Sequence, residues 1–344
     1  MTPQLPAGYT ARPAVREDAE AVVSLLHAYS LAVSGEIENS LKGLLSEWNV
    51  PDLDLARDSL AVFAPDGRLI AYSVVWNKSH PVLPFVNVFL HASEWDRDTT
   101  TCSFLLAWGE ARTLENLPQI APEQRVALRG FCDPRDGQFL AALTAVGFQP
   151  IRQSFEMAID FDEPPKSSAW PEGFTLRIAE PDDDPLPVLD AFRDAWRDHF
   201  GYIERPYEES LESWRYHWAH AFQPGLWLLG MAGDTVAGLS LCLPEIGGKV
   251  ERGYVQTLAV RRAYRRHGLA EALLRESFVR MAQMGKTGAR LSVDGASLTG
   301  ATRLYERVGM HVHNRYTLFE KELRPGTDPS TTEVGAAVMV SEAP

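Results

Sequence analysis

The chain repeats itself, and the length of the repeat restricts it to two copies of one kind of domain. Near the start stands Pro6-Ala7-Gly8-Tyr9-Thr10-Ala11-Arg12, which returns as Pro171-Glu172-Gly173-Phe174-Thr175-Leu176-Arg177, both reading P-x-G-aromatic-T-x-R. Each copy runs through an acidic loop into an apolar-periodic stretch, residues 19–33 and 186–200, where the spacing predicts an amphipathic helix. Residues 60–75 and 227–243 each read as two apolar strands around a tight turn, carried by Pro65-Asp66-Gly67 and Gly233-Asp234. Val146-Gly147-Phe148 is answered by Val308-Gly309-Met310. Three matches in the same order, at offsets between 162 and 167 residues, argue for a duplicated domain. Half of 344 residues suits one compact α/β domain. Asp162-Glu163-Pro164-Pro165-Lys166-Ser167-Ser168 has no periodicity and reads as a linker. The expected division is a first domain over 1–161, a linker over 162–172, a second domain over 173–324 and a disordered tail over 325–344.

Composition removes several classes. Hydrophobic residues make 45% of the chain, enough for two cores, so disordered and fibrous readings fall away. No run of about 18 apolar residues exists, and the opening Met1-Thr2-Pro3-Gln4-Leu5-Pro6 lacks the features of a leader, so no membrane association is expected. Cys102, Cys132 and Cys242 stand far apart in a pattern that fits no metal site, so free thiols, a cytoplasmic location and no metal are expected. A net charge of −13 speaks against a general nucleic-acid binder.

The chemistry concentrates in residues 253–278. Tyr254-Val255-Gln256-Thr257-Leu258-Ala259-Val260 is β-branched and apolar, and reads as a strand. A basic turn with one glycine, Gly268, follows. A helix then carries Leu269, Leu273, Leu274, Phe278 and Met281 at helical spacing. A helix N-terminus offers unbonded N–H groups and a positive dipole end, and a glycine lets that backbone approach a ligand closely. Such a turn suits a pyrophosphate. Residues 249–270 carry six Lys and Arg against one Glu, a local +5 inside an acidic chain. Neither a Walker loop nor a three-glycine dinucleotide fingerprint occurs.

Arg265-Arg266-His267-Gly268-Leu269-Ala270 resembles the R/Q-x-x-G-x-G/A signature of the GCN5-related N-acetyltransferases (GNAT). About 40 residues on, Ala301-Thr302-Arg303-Leu304-Tyr305-Glu306-Arg307-Val308-Gly309-Met310 is similar to that family's A-x-x-L-Y-E-x-x-G-F/M segment. The duplicated layout resembles tandem GNAT proteins such as mycothiol synthase; in the first half only the architecture matches. The resemblance implies an α/β fold with a mixed sheet in each half, the N-terminal copy degenerate. It implies acetyl-CoA as co-substrate, wedged where the strand of Tyr254–Val260 splays from residues 289–293. Leu258, Ala259 and Val260 would then meet the pantetheine arm, and N–H groups near Leu258 would polarise the thioester carbonyl. Arg265, Arg266, His267, Gly268, Leu269 and Ala270 would hold the pyrophosphate. Tyr305 would protonate the departing thiolate. The family often has Asn where Leu298 stands here, and Ser297 is the expected replacement contact.

The acceptor amine must lose a proton. Glu251, Asp294 and His199 are the candidate bases, with His199 in the loop that roofs the acceptor pocket in this family. Trp214, Tyr216, His217, Trp218 and His220 are aromatic at helical spacing and read mainly as core. In the first copy Leu143 stands opposite Tyr305, no glycine lies between Arg68 and Trp108, and Ser93-Glu94-Trp95-Asp96-Arg97-Asp98 is acidic, so no second active site is expected. The expected activity is acetyl transfer to a primary amine of a small, preferably cationic molecule, by direct attack in a ternary complex, in a monomer or homodimer. An acyltransferase acting on a protein amine and a non-catalytic CoA-binding module remain as alternatives.

Overall fold

The computed structural model describes residues 3–77, 81–94, 99–297 and 300–332. The first half runs β1 (Thr10–Arg12), α1 (Ala19–Val33), α2 (Leu41–Trp48), α3 (Leu55–Asp58), β2 (Ser59–Phe63), β3 (Leu69–Trp76), β4 (Phe85–Leu90), α4 (Thr100–Leu114), β5 (Val126–Cys132), α5 (Gly137–Ala145) and β6 (Gln149–Asp160). The second half runs β7 (Thr175–Ile178), α6 (Leu186–Trp196), α7 (Tyr207–Ala221), β8 (Trp227–Ala232), β9 (Thr235–Leu243), β10 (Arg252–Val260), α8 (Leu269–Gln283), β11 (Gly288–Asp294), α9 (Ala301–Arg307) and β12 (His311–Arg324). The element order of the second half is that of the first, apart from the single turn α3.

Two compact α/β units result, and they do not follow the halves of the sequence. Unit 1 is the chain up to Ser154 together with Arg315–Pro329; unit 2 is Phe155–Asn314 together with the residues from Ser330. In unit 1 the strands lie in the order β1-β2-β3-β4-β5-β12; in unit 2 the order is β7-β8-β9-β10-β11-β6. The expected boundaries at 161 and 324 are therefore corrected. The last strand of each repeat serves the other unit: β12 pairs antiparallel with β5 from Thr317↔Cys132 to Arg324↔Val126, while β6 lies beside β11. The physical reason is that strand pairing is a long-range choice. An amphipathic strand shows which face is buried, and carries no mark of which sheet edge will receive it.

The linker and the start of the tail are also tied down. Just before the linker Phe161 N–H donates to Thr287 O at 2.8 Å, and within it Ser167 Oγ donates to Glu276 at 2.7 Å. Thr327 exchanges backbone hydrogen bonds with Glu123 and Arg125, so residues 325–332 are ordered where a loose tail was expected; the remainder of that tail lies outside the described residues.

Helix α8 positions the site. Leu269, Leu273, Leu274, Phe278 and Met281 are buried, while Glu271–Arg275 and Glu276–Arg280 form i,i+4 pairs along the same helix. Gly230 of β8 lets the helix start come close: a Cβ there would stand 2.7 Å from Leu269 Cδ1. In unit 1, Val86, Val88, Leu105, Leu106, Leu128 and Leu143 fill the corresponding layer.

Candidate active site

In unit 2 two parallel strands part. β10 pairs with β11 only at Arg252↔Gly288, Gly253↔Ala289 and Tyr254↔Arg290. Its other edge stays on β9 as far as Val260↔Gly238, with a register shift at Gln256. Arg261 N–H donates to Ala237 O at 2.9 Å. Alternation along the strand then sends the N–H groups of Thr257 and Ala259 toward β9, and those of Leu258 and Val260 toward the open edge. A cavity of about 470 Å³ occupies the gap. Its walls are residues 255–260 of β10, Gly268–Glu271 at the start of α8, residues 291–294 of β11, Trp196 with Asp198-His199-Phe200 after α6, and Ser297, Leu304 and Tyr305.

Gly268, with φ of +84°, is the N-cap of α8 and leaves the first N–H groups without a side-chain cap. Leu258, Ala259, Val260, Arg265, Arg266, Gly268, Leu269, Ala270 and Ser297 all line the cavity. His267 does not. It is exposed, its ring centroid 6.0 Å from that of Phe174. The local +5 is also reduced by acids from other elements. Arg252 meets Asp160 at 2.5 Å, Arg261 meets Asp194 at 3.8 Å, and Asp198 takes both Arg262 and Arg265 at 2.8 and 2.6 Å. Arg265 thus points inward rather than at the cavity mouth. Arg266, in the left-handed region at φ of +66°, pairs with no acid among the described residues.

Tyr305 is 7% exposed, and its hydroxyl makes no hydrogen bond among the described residues. Burial, with a smaller contribution from Tyr254, pushes its pKa up to about 12, so it stays protonated at neutral pH. Ser297 Oγ accepts from Ala301 N–H at 3.4 Å, at the start of α9. Leu298 and Thr299 lie outside the described residues.

The candidate bases separate. Glu251 is exposed and precedes β10 at its paired end, where its carbonyl accepts Thr287 N–H at 2.8 Å. It does not line the cavity. The reason is geometric: the strands diverge only after Tyr254, so the open end lies at the far end of β10. His199 and Asp294 do line it. α6 ends at Trp196, short of the expected residue 200, which leaves His199 on the following loop with its ring centroid 4.2 Å from that of Trp196. His199 Nδ1 lies 3.1 Å from Phe200 O, a carbonyl to which that nitrogen donates. On α7, Trp218 is buried and donates to Pro181 O, Trp214 packs on Phe192, and none of the aromatic group lines the cavity.

Asp198 and Phe200 line the cavity from the expected roof loop beside His199, while Trp196, Ser292 and Glu271 also line it and carried no signal in the sequence. Asp198 lies 64 and 67 residues from the two arginines it holds, and no local pattern joins them. Among the described residues no group of three or more His, Cys, Asp or Glu is placed to hold a metal ion. No helix there is long and apolar enough to cross a membrane.

A sequence profile of the Acetyltransferase (GNAT) family matches residues 188–310, the part of unit 2 that holds this cavity. A solved structure described as a GCN5-related N-acetyltransferase from Sphaerobacter thermophilus is 33% identical, with a TM-score of 0.80, over 94% of this chain and 99% of that one. The chain belongs to the GCN5-related N-acetyltransferase family. It is an N-acetyltransferase of the tandem type. A tandem GNAT protein from the clavulanic acid biosynthesis pathway shares the fold at 13% identity and a TM-score of 0.69, over 93% of this chain and 100% of that one. A putative acetyltransferase from Pyrococcus horikoshii does so at 14% identity and a TM-score of 0.57, over 95% of each chain. A specific likeness to mycothiol synthase is carried by none of the three. No curated protein sequence matches.

The two GNAT units differ where the chemistry would be. Leu143 is fully buried in unit 1 and offers no proton. Glu94, expected as a repelling acid on the surface of a turn, is buried and bonded to Arg68 at 3.2 Å and Tyr9 at 3.3 Å. The rest of that turn, residues 95–98, lies outside the described residues.

Proposed function

We propose that unit 2 transfers the acetyl group of acetyl-CoA to a primary amine of a small molecule by direct attack in a ternary complex. The observation that carries this reading is the open edge of β10 running into the uncapped N-terminus of α8 along one cavity. An extended amide-bearing arm would pair with the Leu258 and Val260 backbone as an added strand. The pyrophosphate would rest on the N–H groups of Gly268–Glu271, with Arg266 as the accessible cation. In the reaction the amine nitrogen bonds to the acetyl carbon and negative charge grows on the carbonyl oxygen, where the Leu258 N–H is the donor. The C–S bond then breaks. Tyr305 donates to the departing sulfur, and the amine proton passes to His199 or Asp294. The products are the acetamide and free CoA. Cys242 is fully buried beside Ser240 and Ser277 with its thiol pushed up to about 11, a poor place for an acyl-enzyme nucleophile.

The test is a thiol-release assay with acetyl-CoA and a panel of small primary amines, with product masses read in parallel. Amine-dependent release with a matching acetamide supports the reading; acetylation confined to protein lysines or N-termini contradicts the small-molecule acceptor.

A further inference from the structure

The loop after α6 does more than wall the cavity. Asp198 is 5% exposed. Its Oδ1 accepts from Arg262 Nη2 at 2.8 Å, and its Oδ2 accepts from Arg262 Nε at 2.9 Å and Arg265 Nη1 at 2.6 Å. Arg265 spends its other donors inward as well, Nε on Val260 O at 3.1 Å and Nη2 on Ala195 O at 3.0 Å. One guanidinium therefore ties the end of β10, the end of α6 and the acid of the roof loop together. The next residue, Arg266, sits at φ of +66°, a conformation that strains a side-chain-bearing residue and persists only where neighbours enforce it. Gly268 follows at +84°. The backbone that presents the helix N–H groups is thus bent immediately after the clamped residue.

The same loop is held on its far side. Gly201 N–H donates to Thr331 O at 2.8 Å and Thr331 N–H donates to Tyr202 O at 2.9 Å, while Thr331 Oγ1 donates to Arg197 O at 3.0 Å. Asp198 is consequently fixed from both directions, and it is an acid at an anion site. Its net charge would weaken a pyrophosphate there; its geometry would strengthen one by fixing the turn. These two effects have opposite signs and can be separated.

Resting on the reading of the cavity given above, we infer that Asp198 is a positioning residue that, through Arg265, sets the backbone of the coenzyme turn at Arg266–Gly268 and joins it to the roof of the acceptor pocket. The experiment is calorimetric titration of acetyl-CoA into the parent protein, Asp198→Asn, Asp198→Glu and Arg265→Lys, with steady-state kinetics of each. Asp198→Asn is expected to raise the Kd for acetyl-CoA about tenfold although it adds positive charge. Asp198→Glu should recover most of that loss. Arg265→Lys keeps the charge and removes the three-way clamp; it should weaken the coenzyme to a similar degree, and it keeps the inference testable if Asp198→Asn does not fold. A parent-like or tighter Kd in folded Asp198→Asn, or a parent-like Kd in Arg265→Lys, overturns the inference while leaving the coenzyme site intact. No saturable binding by the parent overturns both.

Discussion

Units 1 and 2 share a strand order and differ in what crosses the gap beside the fourth strand. In both, the fourth strand begins parallel to the fifth and soon leaves it: β4 registers with β5 only at Phe85↔Arg129, and β10 leaves β11 after Tyr254. In unit 2 the end of α6, the edge of β10 and the turn after β11 stand apart around a cavity. In unit 1 the matching elements are tied together by one side chain. Tyr29 of α1 donates to Asp136, just beyond β5, at 2.8 Å, and sets its ring edge-on to Phe89 of β4 at 5.3 Å. Among the described residues, the gap of unit 2 holds a cavity, while the matching place in unit 1 is crossed by the Tyr29 side chain. The scaffold is common to both copies, and the site is a property of a few residues laid on it.

The largest expected effect breaks the open unit. Gly268→Val places a β-branched residue at φ of +84° and should weaken acetyl-CoA by about a hundredfold or more, with a stability loss of about 1–3 kcal/mol from the strained backbone that leaves the chain folded. Unimpaired binding would remove the turn from the site. Next, Tyr305→Phe should lower kcat by on the order of a hundredfold and spare acetyl-CoA affinity. Because burial holds Tyr305 at about 12, no fall in activity from its ionisation is expected below about pH 10, so parent and variant pH profiles should run parallel.

The third prediction addresses the unit whose gap Tyr29 crosses. Tyr29→Phe removes one of the donors to the buried Asp136, which keeps the Phe139 N–H at 2.9 Å, and should cost about 1 kcal/mol of stability while leaving acetyl-CoA binding unchanged. A loss of coenzyme affinity in that variant would put unit 1 into the site. Arg266→Gln should weaken acetyl-CoA only several-fold, most at low salt, as an exposed cation does. The smallest effect is a stability difference that depends on pH. Burial alone would raise the Asp198 pKa, but hydrogen bonds from Arg265 and Arg262 outweigh it and hold it below the usual carboxylate range. Its stabilisation is complete above about pH 5 and is lost as pH falls through that lowered value. The Tm gap between parent and Asp198→Asn should therefore narrow on acidification; a gap that widens would contradict the ion-pair assignment.

Much of this was legible in the sequence because it is local. The strand of β10, the glycine at the helix cap, and the buried Leu269, Leu273, Leu274, Phe278 and Met281 follow from spacing and conformational preference within one segment. What was not legible is long-range. The exchange of β6 and β12 between units, the acids that quench Arg252, Arg261, Arg262 and Arg265, and the position of Glu251 at the wrong end of its strand depend on elements far apart in the chain. A count of charges along residues 249–270 sees +5 because Asp160, Asp194 and Asp198 come from elsewhere.

The central claim is that one of two copies of a single fold carries the acyl-coenzyme site. Calorimetric titration of acetyl-CoA into the parent protein tests it most directly, through the stoichiometry. One saturable site per chain is the predicted result. Two sites of similar affinity would show that Tyr29 does not close unit 1, and the absence of any site would show that the open edge of β10 is not a coenzyme cleft.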